Sequence, residues 1–390
     1  MMGKGATTIV VGGGIMGATT LWELAKGGMD ALLLEAGGFG RESTGKSAAI
    51  VRGHYSNPQV VRMAVRSRDA LMRLPELTGC EPVYTKVGWL FLVDEADTEL
   101  AKQNRAMQIA EGSSSVEVDD LTSIVPGISS DGIAYALYES ESGFADPIAT
   151  TEAYIEAARR LGARAQDRSP VEAVIVENGR VKGVQVGGDV FPCENVVLAA
   201  GAWTHKLTAG FGLELPVEIT REQDVVFDTG AEATIPCSIS AQIDRVYMRP
   251  APEYGPSFLL IGRGFPKDYE NVEPDGYDTT VSAAFEADVR KRLVDRIPRL
   301  AGVKKVDGRA GLYTVTPDWH PLLGEVDGYE GVYLATGGSG HCFKLGPAIG
   351  ELVGNAILGR QVDYADINSF SLSRYAEGRE FRSTYGGNRA

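Results

Sequence analysis

At 390 residues the chain is longer than one hydrophobic core usually grows, and 44% hydrophobic with 23% charged residues is the composition of an ordinary globular protein, which excludes disordered and fibrous classes. A formal net charge of −14 leaves no basic patch for a phosphate backbone or an anionic lipid surface, so nucleic acid and membrane are not expected partners. The 48 glycines follow no collagen period and point to tight turns and close backbone approaches to something bound.

From the N-terminus, Met1 to Thr8 carries no basic region, long apolar core or cleavage site of a signal peptide, and no later run reaches the roughly eighteen apolar residues of a membrane span. Thr8 to Val11 reads as a short buried strand, Ile15 to Lys26 as a helix and Ala31 to Leu34 as a second strand ending in Glu35, which together make a βαβ unit. Asn57 with Pro58 is an N-cap and first-turn pair, opening a helix expected to run to Pro75. Asp146 with Pro147 opens another, ending at Gly162. Three short β runs lie between Val171 and Phe191, two of them joined by the hairpin pair Asn178 and Gly179. Val196 to Ala200 is a continuous apolar strand ended by Gly201. From Leu215 to about Arg263, β-type runs dominate, and Val83 to Val93 has the same character, so a second, mostly antiparallel domain is expected from two separate insertions. The four cysteines and four histidines are scattered without metal-ligand spacing, so no metal site is expected and the cysteine usage suits a reducing cytoplasm. Tyr385 to Ala390 reads as a loose tail.

Gly12, Gly14 and Gly17 form G-x-G-x-x-G directly after a strand and at the opening of a helix. The first permits the tight turn, the second lets a pyrophosphate reach the backbone, and the third lets helix and strand pack closely. Glu35 stands about twenty residues on, where a carboxylate accepts from ribose hydroxyls and disfavours a 2′-phosphate. These residues alone leave NAD and FAD both open.

Four further segments decide between them. They are Ser43-Thr44-Gly45-Lys46-Ser47-Ala48-Ala49-Ile50-Val51-Arg52, the Asp146-Pro147 helix, Val197 to Trp203, and a C-terminal pair, Tyr313 to Asp318 with Gly338 to Lys344. Together with the glycine turn they resemble the D-amino-acid oxidase superfamily of flavoproteins, in particular its glycine oxidase, sarcosine oxidase and dimethylglycine dehydrogenase branch, over nearly the whole chain. The resemblance implies an α/β (α+β) architecture: a Rossmann-type FAD-binding domain in pieces (1–80, 144–214 and 310–365), a discontinuous substrate domain on an antiparallel sheet (81–143 and 215–309), and a C-terminal extension, 366–390. It implies that Gly12, Gly14, Ile15, Met16, Gly17 and Glu35 hold the adenosine and pyrophosphate, with Ser43, Thr44, Ser47, Ala48 and Ala49 wrapping the pyrophosphate and flavin edge. Val171 would reach the adenine side, Ala200, Gly201 and Trp203 would line the cofactor, and Gly338, Ser339, Gly340, His341, Cys342, Phe343 and Lys344 would line the isoalloxazine. Monomeric sarcosine oxidases attach FAD through a cysteine where this chain has Gly311, so FAD is expected to be non-covalent.

Oxidising an amine at a flavin asks mainly for positioning, and a substrate α-carboxylate needs charge-assisted donors. Arg52 and Lys344 match the family's carboxylate ligands, Tyr313 a pocket tyrosine, and His341 lies beside the flavin in the resemblance. His54, Tyr55, Tyr247 and Arg249 are further pocket candidates. The expected activity is hydride transfer from the carbon next to nitrogen of a small, carboxylate-bearing amino acid or N-alkyl amino acid, giving an imine that hydrolyses, with oxygen or another acceptor taking the electrons. Oxidation of a 2-hydroxy acid, which would need a base such as His341, and a flavin-binding subunit without turnover are the alternatives. The strand Phe258 to Gly262 lacks the oxygen-activating lysine of sarcosine oxidases, which favours a dehydrogenase; Lys46 and Arg263 are the basic residues that would substitute for it. Oligomeric state is not legible.

Overall fold

A computed structural model describes residues 5–230, 234–265 and 268–382, so the N-terminal Met1 to Lys4 and the expected tail at Tyr385 to Ala390 lie outside the described residues. Two large sheets organise the chain. In the first, five parallel strands stand in the order Arg164–Gln166, Ala31–Leu34, Thr8–Val11, Asn195–Leu198 and Tyr329–Thr336. Every residue of Thr8–Val11 and Ala31–Leu34 is buried, as strands covered on both faces must be. Leu322–Val326 adds an antiparallel edge beside Tyr329–Thr336, and the meander Val171–Glu177, Arg180–Val186 and Asp189–Pro192 joins through the Arg180–Glu330 pair. Its two-residue turn is built as the sequence requires, with Asn178 and Gly179 both at positive φ (52° and 74°).

The helix Ile15–Lys26 packs between Pro147–Arg160 and Gly346–Ile357. The last of these carries glycine once per turn, and a Cβ on Gly346, Gly350 or Gly354 would sit 2.4, 2.4 and 2.6 Å from Ile15, Thr19 and Glu23. The two helices therefore approach backbone to backbone, and the Thr19 hydroxyl donates to the Gly346 carbonyl at 2.9 Å. Asn57 and Asp146 cap their helices, each accepting two backbone N–H bonds. The first helix stops at Met72 rather than at Pro75; Pro75 instead lies in the first turn of a separate short helix, Leu74–Thr78, where its missing N–H is tolerated.

The second sheet runs in the order Lys304–Val315, Glu218–Asp228, Phe258–Arg263, Val246–Pro250, Ser238–Ala241, Trp89–Val93, Tyr135–Glu139 and Val116–Glu117. It is antiparallel except where Ser238–Ala241 meets Trp89–Val93. Lys304–Val315 stays paired with Glu218–Asp228 along its length, so residue 310, the expected start of the last cofactor-domain piece, falls inside a strand of this sheet. The expected strand Val83 to Val93 is split at Gly88 (φ 80°): Tyr84–Lys86 joins a three-stranded sheet with Ile50–Val51 and Gly143–Ala145, while Trp89–Val93 enters the large one. Side chains alternate across that large sheet. One face, with Val225, Phe227, Leu259 and Ile261, packs on Val289 and Leu293 of the helix Ala283–Arg296. The opposite face carries Trp89, Phe91 and Tyr247 toward the first domain.

Candidate active site

The turn after Thr8–Val11 is shaped by what glycine lacks. Gly12 has φ 110°, and a Cβ there would lie 2.4 Å from the Ala199 carbonyl oxygen; one on Gly17 would lie 2.0 Å from the Gly12 carbonyl oxygen. Strand, turn and helix close on one another only without side chains. Glu35 fastens the turn: its Oε2 accepts from Gly13 N–H at 2.6 Å and its Oε1 from Gly37 N–H at 2.7 Å, leaving lone pairs for further donors. Gly14, at the N-cap of the helix, offers no capping side chain, and Thr44 supplies one from another segment, its Oγ1 accepting from Ile15 N–H at 3.1 Å.

Around this turn opens a cavity of about 550 Å³ between the two sheets. Gly12, Gly14, Ile15, Met16, Glu35, Ser43, Thr44, Ser47, Val171, Ala200, Gly201, Trp203, Gly338, Ser339, Gly340, Cys342 and Phe343 line it together, drawn from sequence positions more than 300 residues apart. Not every expected cofactor residue does. Gly17 is consumed in helix packing. The Ala48 carbonyl accepts from Arg249 Nε at 2.6 Å, and Ala49 is buried at φ 52°. Gly311 faces Lys46, whose Cβ would stand 3.0 Å from an added Cβ. His341 lines the second cavity described below instead, and Lys344 is buried behind it. The rim has no sequence motif to mark it: there Asp275 Oδ1 accepts from Trp203 Nε1 at 2.7 Å and Oδ2 from Lys206 Nζ at 2.8 Å, bridging the two sheets' segments.

A second cavity, of about 230 Å³, lies beyond the first, and both are walled by Tyr313, Ser339 and Gly340. Gly340 has φ 80°, and any Cβ on it would lie 2.0 Å from the Tyr313 ring, so the two residues pack in direct contact in the wall that the cavities share. Arg52 lines the second cavity with its guanidinium 4.7 Å over the Tyr55 ring and 5.5 Å over Trp89, one donor going to the His54 carbonyl. His54 packs on Phe91 at 4.4 Å, and burial together with Arg52 pushes its pKa down to about 3. His341 Nε2 lies 2.7 Å from the Trp319 carbonyl, which only an N–H can satisfy; Nδ1 is then the acceptor facing the Tyr55 hydroxyl at 3.3 Å. Burial holds His341 neutral, with its pKa well below the usual histidine range. Lys344 lines neither cavity: buried, it donates to the His341 carbonyl at 3.3 Å, and burial and then the Arg52 charge push its pKa well below the usual lysine range.

Of the remaining candidates, Tyr247 lines the second cavity and donates to Asp224 Oδ1 at 2.8 Å, and Tyr55 supports Arg52 and His341 from beneath. Arg249 is structural, held by Ala48, Pro250 and Glu253. Lys46 is committed to Glu42 and Tyr277, each at 2.7 Å, and Arg263, which lines the cavity, to Asp288.

A glycine-turn βαβ unit opening onto a long cleft, with a second cavity roofed by an antiparallel sheet, defines a two-domain, dinucleotide-dependent oxidoreductase. The FAD dependent oxidoreductase family (DAO) matches residues 7–356, and the chain belongs to that family. Glycine oxidase of Pseudomonas putida is 29% identical over 367 residues, covering 90% of this chain and 94% of its own. Monomeric sarcosine oxidase of Bacillus sp. (strain B-0618) is 28% identical over 386 residues, covering 94% and 96%. Among solved structures, L-proline dehydrogenase from P. horikoshii superposes with a TM-score of 0.88 at 26% identity, covering 98% of this chain and 100% of that one. The cofactor is FAD, and the cleft fits it: one continuous cavity takes in the glycine turn, Glu35, Val171 and Gly338 to Gly340. No helix among the described residues is long and apolar enough to cross a membrane.

Proposed function

We propose that the chain oxidises the C–N bond of a carboxylate-bearing amino acid or N-alkyl amino acid, giving an imine that hydrolyses. The observation that carries this reading is Arg52 in the second cavity, one shared wall away from the cofactor cleft. Its planar fork suits a carboxylate, and a carboxylate bound there would also favour protonation of the nearby Lys344, which burial and the Arg52 charge hold well below the usual lysine range. No Asp or Glu lines this cavity among the described residues. A wall that carries arginine and no carboxylate disfavours an ammonium group, and so favours the neutral amine whose lone pair assists departure of the hydride.

In the cleft, Glu35 would hold the adenosine ribose, Ser43, Thr44 and Ser47 the pyrophosphate, and Gly338 to Phe343 the flavin ring. Bound FAD supplies the hydride acceptor and passes the electrons to oxygen or another acceptor. Tyr313 and Gly340 would set the depth at which the substrate carbon meets it. His341 fixes the loop: with Nε2 donating to Trp319 and Nδ1 turned to Tyr55, it has no lone pair free for a substrate hydroxyl, which counts against 2-hydroxy acid oxidation. With Lys46 and Arg263 both ion-paired and no lysine on Phe258–Arg263, a non-oxygen acceptor is favoured; rapid reoxidation of the reduced protein in air would overturn that choice.

The test is anaerobic titration of the purified flavoprotein with glycine, sarcosine, proline, D-amino acids and 2-hydroxy acids while watching the flavin band. Bleaching by amino acids is expected, and Arg52→Met should raise the half-saturating concentration at least tenfold. Bleaching by hydroxy acids alone would sink the reading, and no bleaching by anything would support a subunit without turnover.

A further inference from the structure

The second cavity is larger than a glycine-sized substrate needs. At the roughly 15 Å³ of cavity volume that one water-sized atom needs, glycine's five heavy atoms would take roughly 75 Å³ and phenylalanine's twelve roughly 180 Å³, against about 230 Å³ present. What walls the remainder is aromatic. Trp89 and Phe91 stack on each other at 5.3 Å on one side, and Trp89 also underlies Arg52. Trp319 meets Phe265 at 6.0 Å and Tyr269 at 5.3 Å on another, and Tyr247 adds a further ring. These rings come from separate segments of the chain and converge on one space.

Trp319 is held there at some cost. Its φ of 62° is one that few non-glycine residues adopt, and its carbonyl is fixed by His341. The charged groups of the wall select further. Arg52 and Arg263 both line the cavity, Arg263 is bound to Asp288, and no Asp or Glu lines it among the described residues. A cationic side chain would find no carboxylate on the wall, and an acidic one would compete with Asp288 for Arg263. An apolar ring would find edges and faces on several sides.

We propose that the cavity takes an amino acid bearing an apolar ring, its carboxylate on Arg52 and its ring between the Trp89–Phe91 stack and the Trp319–Phe265–Tyr269 cluster; the proposal rests on the amine-oxidation reading above. Trp319 and Phe265 are the residues that set this specificity.

The test uses the FAD-loaded protein and two carboxylates that carry no amine, acetate and phenylacetate. Affinity is read at equilibrium from the shift of the visible flavin band and from calorimetry. Phenylacetate should bind at least tenfold tighter than acetate. Trp319→Ala should bring that ratio below about threefold, with Phe265→Ala as the second variant should the first fail to fold, and Arg52→Met should weaken both ligands by a similar factor. Equal or weaker binding of phenylacetate, no binding of either ligand, or a ratio left intact by the folded variants overturns the proposal. Bleaching by glycine and sarcosine with phenylalanine inert also overturns it but leaves amine oxidation standing. Tight phenylacetate binding with no bleaching by any amino acid keeps the ring pocket and removes the reading beneath it.

Discussion

The contact between Gly340 and Tyr313 leaves no room for error on a side chain's scale. A methyl group at 340 would meet the Tyr313 ring at 2.0 Å on a backbone already at φ 80°. Gly340→Ala should therefore cost about 2 kcal/mol or more through strain and displacement, seen as a lower urea midpoint and weaker FAD retention. Unchanged stability would mean that the ring moves freely. Lys344 makes a different demand. Its pKa is held well below the usual lysine range by burial and by Arg52, and a carboxylate bound at Arg52 would raise it again. The bound state then holds more protons than the free state, so the affinity of an amine-free carboxylate such as acetate should rise as pH falls, and Lys344→Met should flatten that dependence. A wild-type affinity independent of pH would show that Lys344 does not sense the ligand. At this scale the family resemblance pointed to Arg52 and Tyr313, with His54 and Tyr247 as further pocket candidates, and all four line the second cavity. Trp89 and Phe91 were not legible in the sequence: their i, i+2 spacing puts them on one face of a strand, but which face turns inward is decided by the helix Ala283–Arg296 packing on the other side.

Among the helices and turns, a cap joined to a proline or a hairpin pair could be read, and an isolated cap without an apolar stripe could not. Asn57-Pro58, Asp146-Pro147 and Asn178-Gly179 each settle their own geometry within a few residues. The helix Glu95–Ala110 escaped, because only Ala101, Asn104 and Gln108 are buried along it and no apolar stripe marks its face. Nor did the sequence show what holds the segment after Gly359. There Arg374, with no exposed surface, donates to both carboxylate oxygens of Asp318 at 2.8 Å and to the carbonyls of Pro321, Phe370 and His320. Phe381 stacks on His320 at 4.1 Å. The C-terminal segment thereby clamps the loop that presents Trp319. Arg374→Met leaves the Asp318 carboxylate buried without its partner and should cost about 3–5 kcal/mol, measured by urea unfolding. Adding Asp318→Asn should recover part of that loss; if the double variant is no better than the single, the charge is not the cause.

On the scale of the whole molecule, the parallel sheet was legible because its strands are continuous apolar runs, whereas the strand order of the antiparallel sheet depends on pairings between residues more than 100 apart, such as Trp89 with Ser238. The two sheets meet across the cofactor cleft, lined from one side by the glycine turn and from the other by Leu312, Tyr313 and Asp275. FAD filling that cleft binds only the folded arrangement, and at a hundred times its dissociation constant it should add about 2.7 kcal/mol of stability. The distribution of lining residues makes this selective. Glu35, Val171 and the glycine turn would serve the adenosine and pyrophosphate, so FMN, which lacks the adenosine half, should raise the melting temperature of the apoprotein far less than FAD. Because Gly311 offers no sulfur to the flavin, acid precipitation should release the yellow cofactor into solution, and the neutralised apoprotein should regain its stability with added FAD. Equal stabilisation by FMN would overturn the role given to Glu35 and Val171, and a flavin that stays with the precipitate would point to a covalent link elsewhere in the cleft, where Cys342 supplies the one thiol among its described lining residues.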